Sequence, residues 1–187
     1  GKEPKPVGAL LSIEGLQNLE GDLSNLDVLR KQGFRMASLT HFFDTDLAGS
    51  MHGIEKGGLT EKGRKAVRRM EELGMVVDIA HCSHACVADI IAMARRPVIS
   101  SHGGAVCGTS PRDAARAMKH VRDLVGIEHV ALGSDYDGAT TVRFDTSELV
   151  QVTQALMDEG FTEEEIRAVM GENALRVLRE DLKPLRM

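Results

Sequence analysis

The 187-residue chain has no tryptophan, one tyrosine and five phenylalanines, so aromatics make up only 3% of it. That scarcity excludes base-stacking platforms and the aromatic surfaces that grip sugars. Dense Lys/Arg runs are missing too: 23 basic against 28 acidic residues leave a net charge of −5 and no electrostatic footprint for nucleic acid. No apolar run approaches the roughly 20 residues that span a bilayer, and residues 1–7 (GKEPKPV) do not read as a signal peptide. Three cysteines, Cys82, Cys86 and Cys107, are too few and odd in number for a secreted disulfide framework. They predict a reducing, cytoplasmic compartment. Neither GxGxxG nor a P-loop occurs around Gly57-Gly58 or Gly103-Gly104, so nucleotides lack a phosphate cradle. With 42% hydrophobic and 27% charged residues the composition is that of a globular domain with one packed core.

Short apolar runs alternate with longer amphipathic stretches, the signature of β/α units. The runs are Ala9–Ile13, Phe34–Thr40, Met75–Ala80, Pro97–Ser101 and His129–Ser134. Helices are predicted over Leu23–Gln32, from the Thr60 N-cap to Leu73, over Ala85–Ala94, from Pro111 onward, and over Ser147–Glu159, Thr162–Met170 and Asn173–Arg179. Gly33 and Gly74 are expected to stop the first two, and Thr162 with Glu165 fits a capping box. A long Gly-rich loop (DLAGSMHGIEKGGL) separates the second run from the Thr60 helix, and loops of that length usually carry function. Nearly continuous apolar strands between helices imply a parallel sheet covered on both faces. About five β/α units are visible, whereas a closed (β/α)₈ barrel needs eight. The fold is therefore either an open doubly wound sheet or part of a TIM-type barrel.

The residue following each run bears on that choice. The five runs are followed by Glu14, His41, His81, His102 and Asp135. Parallel strands present their C-terminal ends on one side, so these five are expected to converge at one mouth. Singly, each has a plain structural explanation: a hydrogen-bonded His, a loop carboxylate, a turn-forming Asp. Collectively they build a site. Asp137 competes with Asp135 within GSDYDG, but only Asp135 directly follows the apolar run. His52, His84, His120 and His129 are read as structural or solvated. HCSHAC at His81–Cys86 looks like a zinc ligand set, yet the second ligand pair that a structural zinc site needs does not occur. Carboxylate plus imidazole suits a zinc-type divalent ion. One Glu can bridge two such ions, which held about 3.5–4 Å apart would keep a hydroxide ready to attack a carbonyl. No GxSxG nucleophile elbow competes, and Cys82 beside His81 lacks a separate orienting base.

At these residues the chain resembles the membrane dipeptidase (renal dipeptidase) family of zinc peptidases, in a bacterial-type version. The matching stretches are IEG at Ile13–Gly15, LTH at Leu39–His41, and GGLTEKGRKAVRRMEELGMVVDIAH at Gly57–His81. SSHGG at Ser100–Gly104, GIEHVALGSDYDG at Gly126–Gly138 and GENALRVLRE at Gly171–Glu180 extend the likeness over nearly the whole chain. The resemblance implies a (β/α)₈ barrel that hydrolyses dipeptides with a binuclear zinc site and a metal-bound hydroxide. It makes Glu14 the carboxylate bridging both zincs, His81 and His102 imidazole ligands of one of them, and Asp135 the proton shuttle. His41 would bind the substrate and steady the tetrahedral intermediate.

Two departures from the family pattern qualify the expectation. The His-x-Asp pair of the family's first strand, which ligates the second zinc, has no counterpart before Glu14. SSHGG also runs straight into AVCGTSPRD, where the family has another β/α unit with a substrate-carboxylate Arg ahead of it; Arg112 is not assigned that role. Residues 1–187 are thus expected to form a single barrel domain lacking its N-terminal portion and one β/α unit near 104/105. Alternatives are another metal-dependent amidohydrolase on the same barrel, and a catalytically dead binding remnant. Expected partners are a dipeptide, without nucleic acid or transmembrane segment, and a homodimer is among the assemblies left open.

Overall fold

In the computed structural model, residues 8–103, 108–136 and 143–182 are described. They fall into two compact units, one reaching to Ile99 and rejoined by the chain from Asp181, the other running from Ser100 to Glu180.

The first unit is a four-stranded parallel sheet: β1 (Leu11–Ile13), β2 (Phe34–Ser38), β3 (Val76–Asp78) and β4 (Val98–Ile99), in the order β1-β2-β3-β4. Each strand lies beside the next in sequence, with no reversal of direction around the sheet. A doubly wound sheet reverses its order at a switch point; sequential order without reversal is the arc of a barrel. The crossovers are α1 (Asn25–Gln32), α2 (Glu61–Leu73) and α3 (His84–Met93). Gly33 and Gly74 end α1 and α2 in the left-handed conformation (φ 107° and 64°), which glycine adopts without penalty. The Thr60 hydroxyl accepts the Gly63 N–H, so the predicted N-cap of α2 is present. Leu26, Ala37, Leu39, Ala66, Val67, Met70, Val77 and Ile90 form the core, and β3 is buried throughout.

The second unit contains α4 (Pro111–Val125), α5 (Val150–Asp158), α6 (Glu163–Arg167) and α7 (Asn173–Asp181). α4 opens with Pro111 behind a Ser110/Asp113 capping box, and α6 with the predicted Thr162/Glu165 box. Ala115, Val130, Val152, Leu156, Phe161 and Val169 pack as its core. The amide of buried Asn173 donates to the carbonyls of Ile127 (2.7 Å) and Val130 (2.8 Å), tying the last helix to the segment that leads to Asp135.

The fifth apolar run differs from expectation. Ile127–His129 forms a 3₁₀ turn, and residues 130–136 join no ladder among the described residues. Its backbone instead passes tightly against Ser101: a Cβ on Gly133 would sit 1.7 Å from the Ser101 carbonyl oxygen. Hydropathy located the segment, but a strand also needs a partner in register, and β4 offers only two residues. The expected discontinuity near 104/105 and the competing carboxylate Asp137 lie outside the described residues. Among the described residues, no helix is long and apolar enough to cross a membrane.

Candidate metal centre

Glu14 directly follows β1, and His41 and His81 each lie three residues beyond the end of a strand. The first unit brings all three together, as the shared C-terminal edge of a parallel sheet requires. The two oxygens of Glu14 face different rings: Oε2 lies 3.3 Å from His41 Nε2 and Oε1 3.6 Å from His81 Nε2. The two rings meet edge to face with centroids 4.6 Å apart. Glu14 and His41 are about 30% exposed, while the His81 side chain is only 11% exposed.

This placement is built by buried backbone chemistry. The Ser38 hydroxyl, fully buried at the end of β2, accepts the Gly15 N–H (3.0 Å) and donates to the Thr40 carbonyl (2.9 Å). One side chain thus fixes the neighbours of both Glu14 and His41. Buried Asp78 ends β3 and accepts the Ala80 N–H (3.0 Å), shaping the turn before His81. His81 itself adopts φ 62°, left-handed backbone that is uncommon outside glycine and recurs at functional positions.

The long Gly-rich loop explains how that conformation is held. It folds back as a strap, with Ala48 paired to Leu59 and Ser50 paired to Cys82 across antiparallel bridges. The Met51 N–H donates to the His81 carbonyl (2.8 Å), the Ser83 N–H to the Gly49 carbonyl (2.9 Å), and the Ser50 hydroxyl to the His41 carbonyl. Two carboxylates clamp the strap. Asp44 accepts the Glu55 and Ser50 N–H groups, which hold its carboxyl below the usual carboxylate range. Asp89 accepts the Leu59 N–H and pairs with Arg64, with the same consequence.

The strap also carries His52, which is exposed, in keeping with the expectation. Its ring lies 5.3 Å from that of His81 and 5.3 Å from Phe42, so the exposed side chain borders the cluster. Only the fold-back of the strap puts it there, and no local pattern signals that. Of the four residues that His81–Cys86 shares with a zinc ligand set, His84 is exposed, while Cys82 and Cys86 are buried in the core with Sγ to Sγ 2.9 Å. His120 and His129 are exposed, as expected.

In the second unit, His102 Nε2 lies 3.8 Å from Asp135 Oδ2, and the Ser101 hydroxyl is 2.9 Å from the opposite ring nitrogen, Nδ1. Asp135 has φ 54°, so two of the four non-glycine residues with positive φ among the described residues, His81 and Asp135, are predicted site residues.

The sequence matches the family model described as membrane dipeptidase, peptidase family M19, in two stretches that meet in the chain's middle, residues 2–109 and 106–184. The chain belongs to this family. Among curated relatives of this M19 protein, the dipeptidase aclJ of Aspergillus oryzae is 31% identical over 218 aligned positions, covering 94% of the chain and 52% of the relative. The dipeptidase verJ of Clonostachys rogersoniana is 28% identical, covering 92% and 55%. The chain thus spans about half the length of the curated relatives it matches. Among solved structures, a metallopeptidase of Rhodobacter sphaeroides, liganded with a phosphinate mimic of the dipeptide L-Ala-D-Ala, superposes with TM-score 0.80 at 22% identity. That superposition covers 92% of this chain and 63% of the other. The probable dipeptidase PvdM of Pseudomonas aeruginosa gives TM-score 0.80 at 20% identity, covering 91% and 68%. These structures share the M19 chain's fold.

The donors fit a zinc-type ion. Two ligand atoms each about 2.0–2.1 Å from a tetrahedral centre stand about 3.3 Å apart, close to the 3.6 Å between Glu14 Oε1 and His81 Nε2. The carboxylate and imidazole types are those that such an ion selects.

Proposed function

We propose that the protein is a zinc-dependent dipeptidase, with Glu14, His81 and His102 as metal ligands, His41 binding the substrate and Asp135 carrying a proton. Membership of the M19 family supports the reaction class, and the dipeptidase relatives support the substrate class. The observation that carries the proposal is Glu14, which turns one oxygen toward each of two strand-end imidazoles. Zinc bound there would polarise the scissile carbonyl and acidify a water. With two oxygens to offer, Glu14 would bridge two ions, the second needing ligands beyond those assigned here.

The chain's own groups do the rest. His41 Nε2 is the donor for the oxygen on which negative charge develops as the carbonyl is attacked. Asp135 takes a proton from the attacking water and returns it to the departing amine nitrogen. The Ser101 hydroxyl at His102 Nδ1 fixes that ring and keeps Nε2 directed at its ligand role. The alignment with aclJ occupies 218 positions against a chain of 187 residues, and the two family matches meet at 106–109. Both support a β/α unit left out near 104/105 of one barrel domain. Free Cys82 and Cys86 support a reducing, cytoplasmic setting.

The test is Glu14→Gln. It keeps the shape but removes the charge that holds cations, so zinc content and dipeptide hydrolysis should fall together, by about 10-fold or more. Full activity at unchanged zinc stoichiometry removes Glu14 from the centre.

A further inference from the structure

The HCSHAC motif keeps one feature that zinc chemistry does not absorb. Cys82 and Cys86 flank Ser83, the N-cap of α3, and their sulfurs lie 2.9 Å apart, less than 1 Å beyond a covalent S–S bond of about 2.05 Å. Cys82 is 5% exposed and Cys86 fully buried. The pair sits against the metal centre through the backbone: Cys82 is the chain neighbour of His81 and pairs with Ser50 of the strap, while the Thr40 hydroxyl, next to His41, reaches the Cys82 sulfur at 3.8 Å.

The geometry points to a reversible oxidation site, in which Cys82 and Cys86 close an intramolecular disulfide that resets the backbone carrying His81. A hydroperoxide oxidises the Cys82 thiol, the less buried of the two, to a sulfenic acid; with hydrogen peroxide, one water leaves. The Cys86 sulfur then attacks Cys82 sulfur, forming the S–S bond, while the sulfenic hydroxyl departs with the Cys86 thiol proton as a second water. Two thiols and one peroxide give one disulfide and two waters. A dithiol reductant reopens it by supplying two electrons and two protons. No side chain other than these two need move far, because the sulfurs already touch. Closing the bond draws Cys82 toward α3, against its pairing with Ser50, and His81 is attached to that residue. The coupling to the metal rests on the proposed function; the disulfide does not.

The experiment uses the chain with Cys107→Ser, leaving two thiols. Native protein is exposed to hydrogen peroxide, its remaining thiols are alkylated, and the digest is weighed. The expected result is paired loss of both alkylation sites with a mass deficit of two hydrogens, reversed by dithiothreitol and absent from the Cys82→Ser and Cys86→Ser variants. Both thiols staying alkylatable, or oxidising independently to sulfinic acids, overturns the site. Zinc titration of the reduced and oxidised forms then tests the coupling: a shift in dissociation constant of about threefold or more is expected, and equal affinities overturn it. Zinc binding to neither form, with the disulfide formed, counts against the metal ligands and leaves the redox site standing.

Discussion

Asp135 and His41 separate chemistry from metal binding. If Asp135 moves the proton, Asp135→Asn should retain most zinc yet lose about 100-fold or more in kcat, the scale of general acid–base effects. His41→Ala should cost roughly 2.7–4 kcal/mol of transition-state stabilisation, as for other oxyanion donors. Steady-state dipeptide kinetics with zinc analysis reads both, and Asp137→Asn is the control for the choice within GSDYDG. Ser38 is a different kind of residue, touching neither ion nor substrate. Ser38→Ala leaves the Gly15 N–H and Thr40 carbonyl unsatisfied at a fully buried position. The expected cost is about 1–3 kcal/mol in denaturant unfolding, with weakened zinc affinity because Glu14 and His41 lose their common anchor. Glu14, His41 and His81, which the first unit brings together, were legible because each directly follows an apolar run. Ser38, Asp78 and His52 were not: the first two look like ordinary positions within a run, and the third depends on a loop folding back on the site.

At the scale of elements, the strap over residues 44–59 holds the site through two surface carboxylates. The N–H groups of Glu55 and Ser50 depress the Asp44 carboxyl, and the Leu59 N–H with Arg64 depresses that of Asp89. Groups whose folded pKa lies below the unfolded value, about 3.9 for Asp, contribute stability that is fully present above it and lost as pH falls through the folded value. The strap should therefore loosen below about pH 4 and not on the alkaline side. Amide exchange followed from pH 6 to 3, after correction for intrinsic rates, should show Met51 and Ser83 losing protection before the β3 core; their loss together with β3 would show that the strap is not a separate unit of stability. Helices were the most legible elements, since Thr60, Gly33, Gly74, Pro111 and the Thr162/Glu165 box carry their own boundary chemistry. The 130–136 segment was the least legible, because ladder pairing is decided by a partner and not by its own hydropathy.

For the molecule as a whole, sequential strand order makes the first unit the arc of a barrel. An ion held by Glu14, His81 and His102, as proposed, would couple metal binding to the stability of the chain. An ion that binds only the folded state stabilises it by about 2.7 kcal/mol at 100 times its dissociation constant. For a chain of this size that corresponds to a rise in Tm of roughly 5–10 °C. Each of Glu14→Gln and His102→Ala should then remove about half or more of the same zinc-induced shift. Gly133→Ala supplies the contrast. Its Cβ would meet the Ser101 carbonyl at 1.7 Å, so it should lower Tm by overpacking, at a cost of about 1–3 kcal/mol, with or without zinc. Calorimetric scans at fixed zinc concentration, with bound zinc counted, distinguish the outcomes: one zinc kept in each single variant and lost only in the double would mean two independent metal sites and would refute a shared ion.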